Sequence, residues 1–179
     1  MTEIAPDATV AQSDLQLAVA GDEVAFARLV AAHHAGMARV AYAIAGDRAL
    51  AEDALQSAWV IAWRKLGSVR DPGRIRAWLM SIAVNEARQI LRRRRRAQVV
   101  ELNMNQPAAE RTDPQVGIGR VDLVRALGRL SADDRALIAL RYVLGFDTAE
   151  IGQITGRSAS GTRTRLSRVT ARLREELGR

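Results

Sequence analysis

The sequence predicts an all-α protein made of two small helical domains joined by a flexible linker. Three observations predict it. Apolar residues recur at helical spacing between residues 22 and 91, and again between 121 and 173. The stretch between these blocks, AQVVELNMNQPAAERTDPQVGI (97–118), contains two of the four Pro and has no such stripe. Almost no segment shows the strict apolar–polar alternation of a half-buried strand. At 179 residues the chain allows one compact domain or two small ones, each with a modest core.

Residues 1–12 lack periodicity and are expected to form a flexible tail. Asp22 can cap a long helix whose apolar positions are Phe26, Leu29, Val30, Met37, Val40 and Ala41. Gly46-Asp47 breaks it, and Asp47 can cap a second helix running to about Leu66. GSVRDPG (67–73) reads as a loop, with Asp-Pro as its turn signal. A third helix starts near Pro72 and runs through Trp78, Leu79, Ala83, Ala87, Ile90 and Leu91 into the Arg run at 92–96. Beyond the linker, Val121, Leu123, Val124, Leu127 and Leu130 form one short helix. Ser131-Ala132-Asp133-Asp134 resembles an N-terminal cap for the next, which ends near Gly145. Thr148–Thr155 is a short helix, Gly156 a turn, and Ser158 caps a last helix to about Leu177. The expected order is three helices, a linker, then four helices, with domains at 13–97 and 119–179 and the linker at 98–118.

Charge is segregated along this order. The net charge is +7, and 26 of the 27 basic residues are Arg, Lys65 being the one Lys. Residues 1–56 carry three Arg against eight acids, whereas 57–96 carry 11 basic residues against two acids. Residues 97–120 come to −1, and 121–179 carry 11 Arg against seven acids. Arg suits bidentate contact with phosphate and guanine. GC-rich coding sequence also enriches Arg, but it does not explain clustering. With no Cys, disulfides, thiolate zinc sites and cysteine nucleophiles are excluded. The longest apolar run is about six residues (Val40–Ala45), too short to cross a membrane. The acidic N-terminus lacks the pattern of a signal peptide, so a cytoplasmic location is expected.

TAEIGQITGRSASGTRTRLSRVTARL (148–173) has the layout of a helix-turn-helix: a short helix ending at Gly, then a Ser-capped second helix. At about 100° per residue, Thr162, Leu166, Val169 and Leu173 share an inward face. Ser160, Arg163, Thr164, Ser167 and Arg168 share the opposite one. Small hydroxyls between Arg side chains let a helix sit deep in a major groove while Arg reaches bases or phosphates. Arg165 and Arg172 lie on the flank and suit phosphates. In the first block, helix AEDALQSAWVIAWRKL (51–66) directs Ala51, Leu55, Ala58, Ala62 and Leu66 inward. Asp53, Gln56, Ser57, Val60 and Arg64 face outward, where an apolar Val among polar groups suits a protein partner. The third helix turns Leu79, Ala83, Ala87 and Ile90 inward and Ser81, Asn85, Arg88, Gln89 and Arg92 outward. Those outward groups can hydrogen-bond base edges, and Arg92–Arg96 can neutralise phosphates. Trp78 is expected to pack in the core.

In order, AEDALQSAWVIAWRKL (51–66), RAWLMSIAVNEARQILRRRRR (76–96), LGRLSADDRALIALRYVLGFDTAEIGQITG (127–156) and SGTRTRLSRVTARLREEL (160–177) resemble the extracytoplasmic-function (ECF) group of bacterial RNA polymerase sigma factors. The resemblance runs from about Asp14 to Leu177. It implies a sigma-2 domain that binds the β′ clamp helices of core polymerase and opens the promoter −10 element. It also implies a sigma-4 domain that binds the β flap and reads the −35 element, with a linker passing near the active site. Asp53, Gln56, Ser57 and Val60 would then bind core polymerase. The loop from Leu66 to Arg74 would capture a flipped −10 base, and Arg74, Arg76, Asn85, Arg88, Gln89, Arg92 and Arg93 would contact −10 DNA. Arg157, Ser158, Ser160, Arg163, Thr164, Arg165, Ser167 and Arg168 would contact −35 DNA. Members of this group are commonly held by an anti-sigma factor, which adds one to the expected partners.

This chain departs from the group's pattern in places. Gly152 and Thr155 interrupt a Leu-rich stretch and are expected to loosen the first helix of the turn. Gln89 replaces a common Asp, Ser167 a frequent His, and Ser57 a common Glu, so promoter preference does not transfer. A stand-alone helix-turn-helix regulator is the alternative, but it leaves residues 51–96 without a role. An enzyme is not expected. His33-His34 is the sole His pair, its members point about 100° apart on a helix, and no acids complete a ligand set. No metal or cofactor is expected.

Overall fold

Four helices precede the segment read as a linker. The structure, a computed structural model, describes residues 8–101, 123 and 125–178. Helix α1 (Ala8–Val19) leads into α2 (Glu23–Ala45), α3 (Arg48–Lys65) and α4 (Ile75–Glu101). Residues 123 and 125–128 are helical (α5), followed by α6 (Ala132–Ile138), α7 (Thr148–Thr155) and α8 (Ala159–Leu177). Among the described residues there is no strand.

The caps expected from sequence are present. Asp22 accepts from the Ala25 amide, Asp47 from Leu50, Ser131 from Asp134 and Ser158 from Gly161. Two expectations are corrected. The tail at 1–12 contains the start of a helix from Ala8, which tertiary contact secures further along: Leu15 and Ala18 are buried, and Asp14 pairs with Arg28 of α2 at 2.7 Å. The first block therefore holds four helices, not three. Helix α4 continues through Glu101, into the first residues of the segment read as a linker. Ala, Gln and Glu are good helix formers, and no Pro stops them before Pro107. Residues 1–7, the rest of the linker, and Val121 and Val124 lie outside the described residues.

Helices α2, α3 and α4 pack on one another, with α1 against α2. Small residues at the contacts (Ala51, Ala54, Ala58 and Ala62 of α3, Ala83 and Ala87 of α4) are all buried and let the axes approach closely. Phe26 meets Trp59 and Trp63 edge-on at 5.8 and 4.7 Å between ring centres. Trp59 donates its indole N–H to Nδ1 of His34 at 3.2 Å, which gives that His a structural role.

After α6 the chain makes a π-helical turn (Ala139–Val143), in which the Leu144 amide donates to Ala139 O. This wider turn leaves Tyr142 and Val143 exposed while Leu144 and Phe146 go inward. The two blocks share a continuous apolar core: Met37, Val40, Met80 and Val84 belong to one cluster with Leu137, Leu140, Phe146, Ile151 and Ile154. Each such buried large side chain contributes roughly 1.5–3 kcal/mol. A smaller cluster of Ala126, Leu130, Val169 and Leu173 lies beyond it.

Candidate nucleic-acid interface

Helix α7 begins with a reciprocal cap. The Asp147 carboxylate accepts from the amides of Ala149 and Glu150, and Glu150 accepts from the Asp147 amide at 2.8 Å. It ends at Gly156, whose φ of 71° is the left-handed conformation that stops a helix. Gly152 does not loosen α7, contrary to expectation. It is buried, and a Cβ there would lie 2.7 Å from Arg157 O. The missing side chain lets the turn fold back onto α7, where the Arg157 amide donates to Gly152 O at 2.8 Å. The Thr155 hydroxyl donates to Ile151 O at 2.7 Å, within the same helix.

That turn sets α8 with Thr162, Leu166, Val169 and Leu173 buried. Ser160, Arg163, Thr164, Ser167 and Arg168 are all exposed on the other side, as their spacing predicts. Arg163 and Ser167 also line a shallow groove with Arg141, Tyr142 and Arg174. Arg141 and Arg174 stand outside the set read from sequence: Arg174 shares the helical face of Ser167 and Arg163, seven and eleven positions on, a spacing signal that could have found it, whereas the π-helical turn that brings Arg141 near α8 has no sequence signature. Arg165 is half-buried and donates to Asp134 at 2.6 Å, so it ties α8 to α6. Arg157, also half-buried, reaches Asp133 at 3.2 Å. Ser158 serves as the helix cap.

On α4, Asn85, Arg92 and Arg93 are exposed, and Gln89 is half-buried. Leu79, Ala83 and Ala87 face the core, and Trp78 packs against it. Arg74 is exposed and pairs with Asp71 at 3.2 Å. Arg76 and Arg88 point at the second block. Arg76 donates to Leu144 O at 2.5 Å and lies over the Phe146 ring at 4.3 Å. Arg88 donates to Asp133 at 2.9 Å, its side chain only 16% exposed. On α3, Asp53, Gln56 and Val60 are exposed and Ser57 is half-buried beside them, forming one outer strip. Trp63 extends its apolar part.

A helix-turn-helix with a presented second helix, joined to a helical bundle bearing an Arg-rich helix, has the form of a two-domain DNA-binding protein. Residues 29–97 match Sigma-70 region 2, and residues 120–173 match Sigma-70 region 4. The ECF RNA polymerase sigma factor SigM of Mycobacterium tuberculosis is 34% identical over 160 residues, covering 89% of this chain and 81% of SigM. RNA polymerase sigma factor CarQ of Myxococcus xanthus is 34% identical over 160 residues, covering 88% and 92%. Among solved structures, the sigma factor RpoE from Bartonella quintana, in complex with the anti-sigma factor NepR, superposes with a TM-score of 0.70. That match has 27% identity and covers 86% of this chain and 96% of the other. CnrH, in complex with the cytosolic domain of CnrY, gives a TM-score of 0.67 at 26% identity, over 96% and 97% of the two chains. The chain belongs to the ECF group of RNA polymerase sigma factors. The region 2 match gives the first block a role, which the stand-alone regulator reading does not. Among the described residues no helix is long and apolar enough to cross a membrane.

Proposed function

We propose that residues 13–97 bind core polymerase through Asp53, Gln56, Ser57 and Val60 and engage the −10 element through Arg74, Arg76, Asn85, Arg88, Gln89, Arg92 and Arg93. Residues 119–179 read the −35 element through Ser160, Arg163, Thr164, Ser167 and Arg168, with Arg157, Ser158 and Arg165 at the margin. The observation that carries this reading is the outward face of α8, where hydroxyls and Arg alternate on a helix whose opposite face is fully packed. The chain supplies binding energy and no catalytic group. Polymerase performs the chemistry, and the protein works in the cytoplasm where polymerase is. Residues 98–118 connect the two functions. An anti-sigma factor is a further partner, by analogy with RpoE–NepR and CnrH–CnrY. Run-off transcription with purified core polymerase, followed by sequencing of transcript starts, tests the reading. Promoter-dependent starts are expected, and their absence on a whole-genome template would overturn it.

A further inference from the structure

Helix α1 carries none of the residues proposed to touch DNA or polymerase, yet it is built against the loop that joins α3 to α4. That loop consists of two 3₁₀ turns, Leu66–Ser68 and Pro72–Arg74, with Val69, Arg70 and Asp71 between them. By the resemblance it is the loop that captures an extruded −10 base. Helix α1 packs on α2 and on both of these turns. Leu15 and Ala18 are buried in the same apolar cluster as Leu66, and Val69 packs against that cluster. At the end of α1, Val19 Cγ1 lies 3.8 Å from where a Cβ on Gly67 would stand.

The loop fixes its own shape only in part. The Ser68 hydroxyl donates to Lys65 O at 2.7 Å, Asp71 accepts from the Gly73 amide at 2.9 Å, and Arg74 pairs with Asp71. Each of these bonds closes a single turn and leaves that turn free to move against the bundle. Leu66 and Ile75 anchor the ends of the loop, Val69 its middle, and α1 flanks both turns. One ion pair in turn sets the position of α1. The Asp14 carboxylate, 13% exposed, accepts from Arg28 Nε at 2.8 Å and lies 2.7 Å from a terminal guanidinium nitrogen. A carboxylate buried that far is costly without its partner, so the pair fixes where along α2 the helix sits.

We propose that α1 is a positioning element for capture of the −10 base. Pinned on α2 by Asp14 and Arg28, it holds the loop at 66–74 in the shape that receives the base. The inference rests on the sigma reading for the ligand of that loop. A loose loop must be ordered as it binds, which lowers affinity, whereas a loop ordered beforehand escapes that loss. Val19 and Asp14 act through the loop rather than on DNA.

The test uses the full chain bound to core polymerase. Val19→Ala trims the contact with the loop, while Ala, the best helix former, leaves α1 intact. Leu17→Ala is the control: Leu17 is also exposed but lies about 200° round the helix from Val19. The probe is a fork DNA, double-stranded at −35 and single-stranded at −10, copied from a promoter located by transcript-start sequencing. Val19→Ala is expected to weaken fork binding about fivefold, the scale of ordering one side chain afresh. Affinity for a −35 duplex and for core polymerase should not change. Arg28→Met should weaken fork binding likewise, and Arg28→Lys, which keeps the charge, should restore it. An abasic nucleotide is then moved through the −10 segment. Where it removes the captured base, the parent and Val19→Ala should bind equally, an outcome that a general loss of folding does not produce. In the free chain, amide hydrogen exchange over 66–74 should quicken in Val19→Ala while exchange in α3 stays the same. Fork binding equal to that of Leu17→Ala, a deficit that persists at every abasic position, or unchanged exchange over 66–74 would each overturn the positioning role. A parental holoenzyme that starts no transcription would instead overturn the sigma reading and the ligand of the loop with it, while exchange in the free chain still judges the brace.

Discussion

Asp134 shows how one side chain can serve a cap, an ion pair and a pH response. It sits in the first turn of α6, accepts from the Ser131 hydroxyl at 2.7 Å, and pairs with Arg165 of α8. Burial acts to raise its pKa, but hydrogen bonds from Arg165 and Ser131 and the charges of Arg165 and Arg172 outweigh it and hold the carboxyl below its ordinary value. A depressed carboxyl stabilises the fold fully above the unfolded pKa of about 3.9, and that contribution is lost as pH falls through the lower folded value. Asp134→Asn should therefore cost about 1–2 kcal/mol at pH 7, and the difference should shrink below about pH 4, as urea midpoints at pH 7, 4 and 3 would record. A constant difference across that range would refute the assignment. Gly152 makes a second test. A methyl group there meets Arg157 O at 2.7 Å, and backbone cannot swing aside as a side chain can. Gly152→Ala should cost about 1–3 kcal/mol by overpacking, read as a lower thermal midpoint. It should also weaken duplex binding, because the turn that positions α8 is displaced.

Helices with strong local signals were legible in the sequence. The limits of α2, α3, α7 and α8 follow from Asp22, Gly46-Asp47, Gly156 and Ser158, whose caps and stops act within one turn. The outward faces of α3 and α8 followed from spacing alone. Helix α1 was not legible, since what secures it is burial of Leu15 and Ala18 and a pair between Asp14 and Arg28. The π-helical turn after α6 likewise leaves no local pattern. The two exposed faces give separable predictions. Arg163→Ala or Arg168→Ala in the full chain should weaken promoter duplex binding by about 1–3 kcal/mol if the side chain meets a base. A phosphate role would show as a loss uniform across sequences. Neither change should alter affinity for core polymerase; equal loss there would contradict the division of labour. Asp53→Ala should do the opposite, reducing association with core polymerase in a pull-down titration without changing duplex binding. Unchanged core affinity would reject Asp53 as a contact.

The contact between the two blocks is where sequence was least informative. Arg88 and Asp133 are 45 positions apart, and Arg135 and Ala43 are 92 apart. No periodicity or cap reports on such pairs, and Asp133 reads locally only as an acid in a helix's first turn. Hence Arg88, grouped by spacing with exposed neighbours, and Arg76, assigned through the resemblance, are both engaged by the second block. Arg157 and Arg165 are likewise paired with Asp133 and Asp134. The charge segregation along the chain nevertheless persists in three dimensions. The Arg run at 92–96 remains exposed at the far end of α4, and the Arg of α8 remain exposed on its outer face. Membership of the ECF group implies that binding energy directs polymerase to chosen promoters, and our proposal places that energy on these surfaces. The most direct measurement is run-off transcription with purified core polymerase on genomic DNA, with the 5′ ends of the transcripts sequenced. Starts clustered downstream of a shared pair of −10 and −35 motifs, lost when Arg163 and Arg168 are both replaced by Ala, are expected. Starts no more frequent than with core polymerase alone would contradict it.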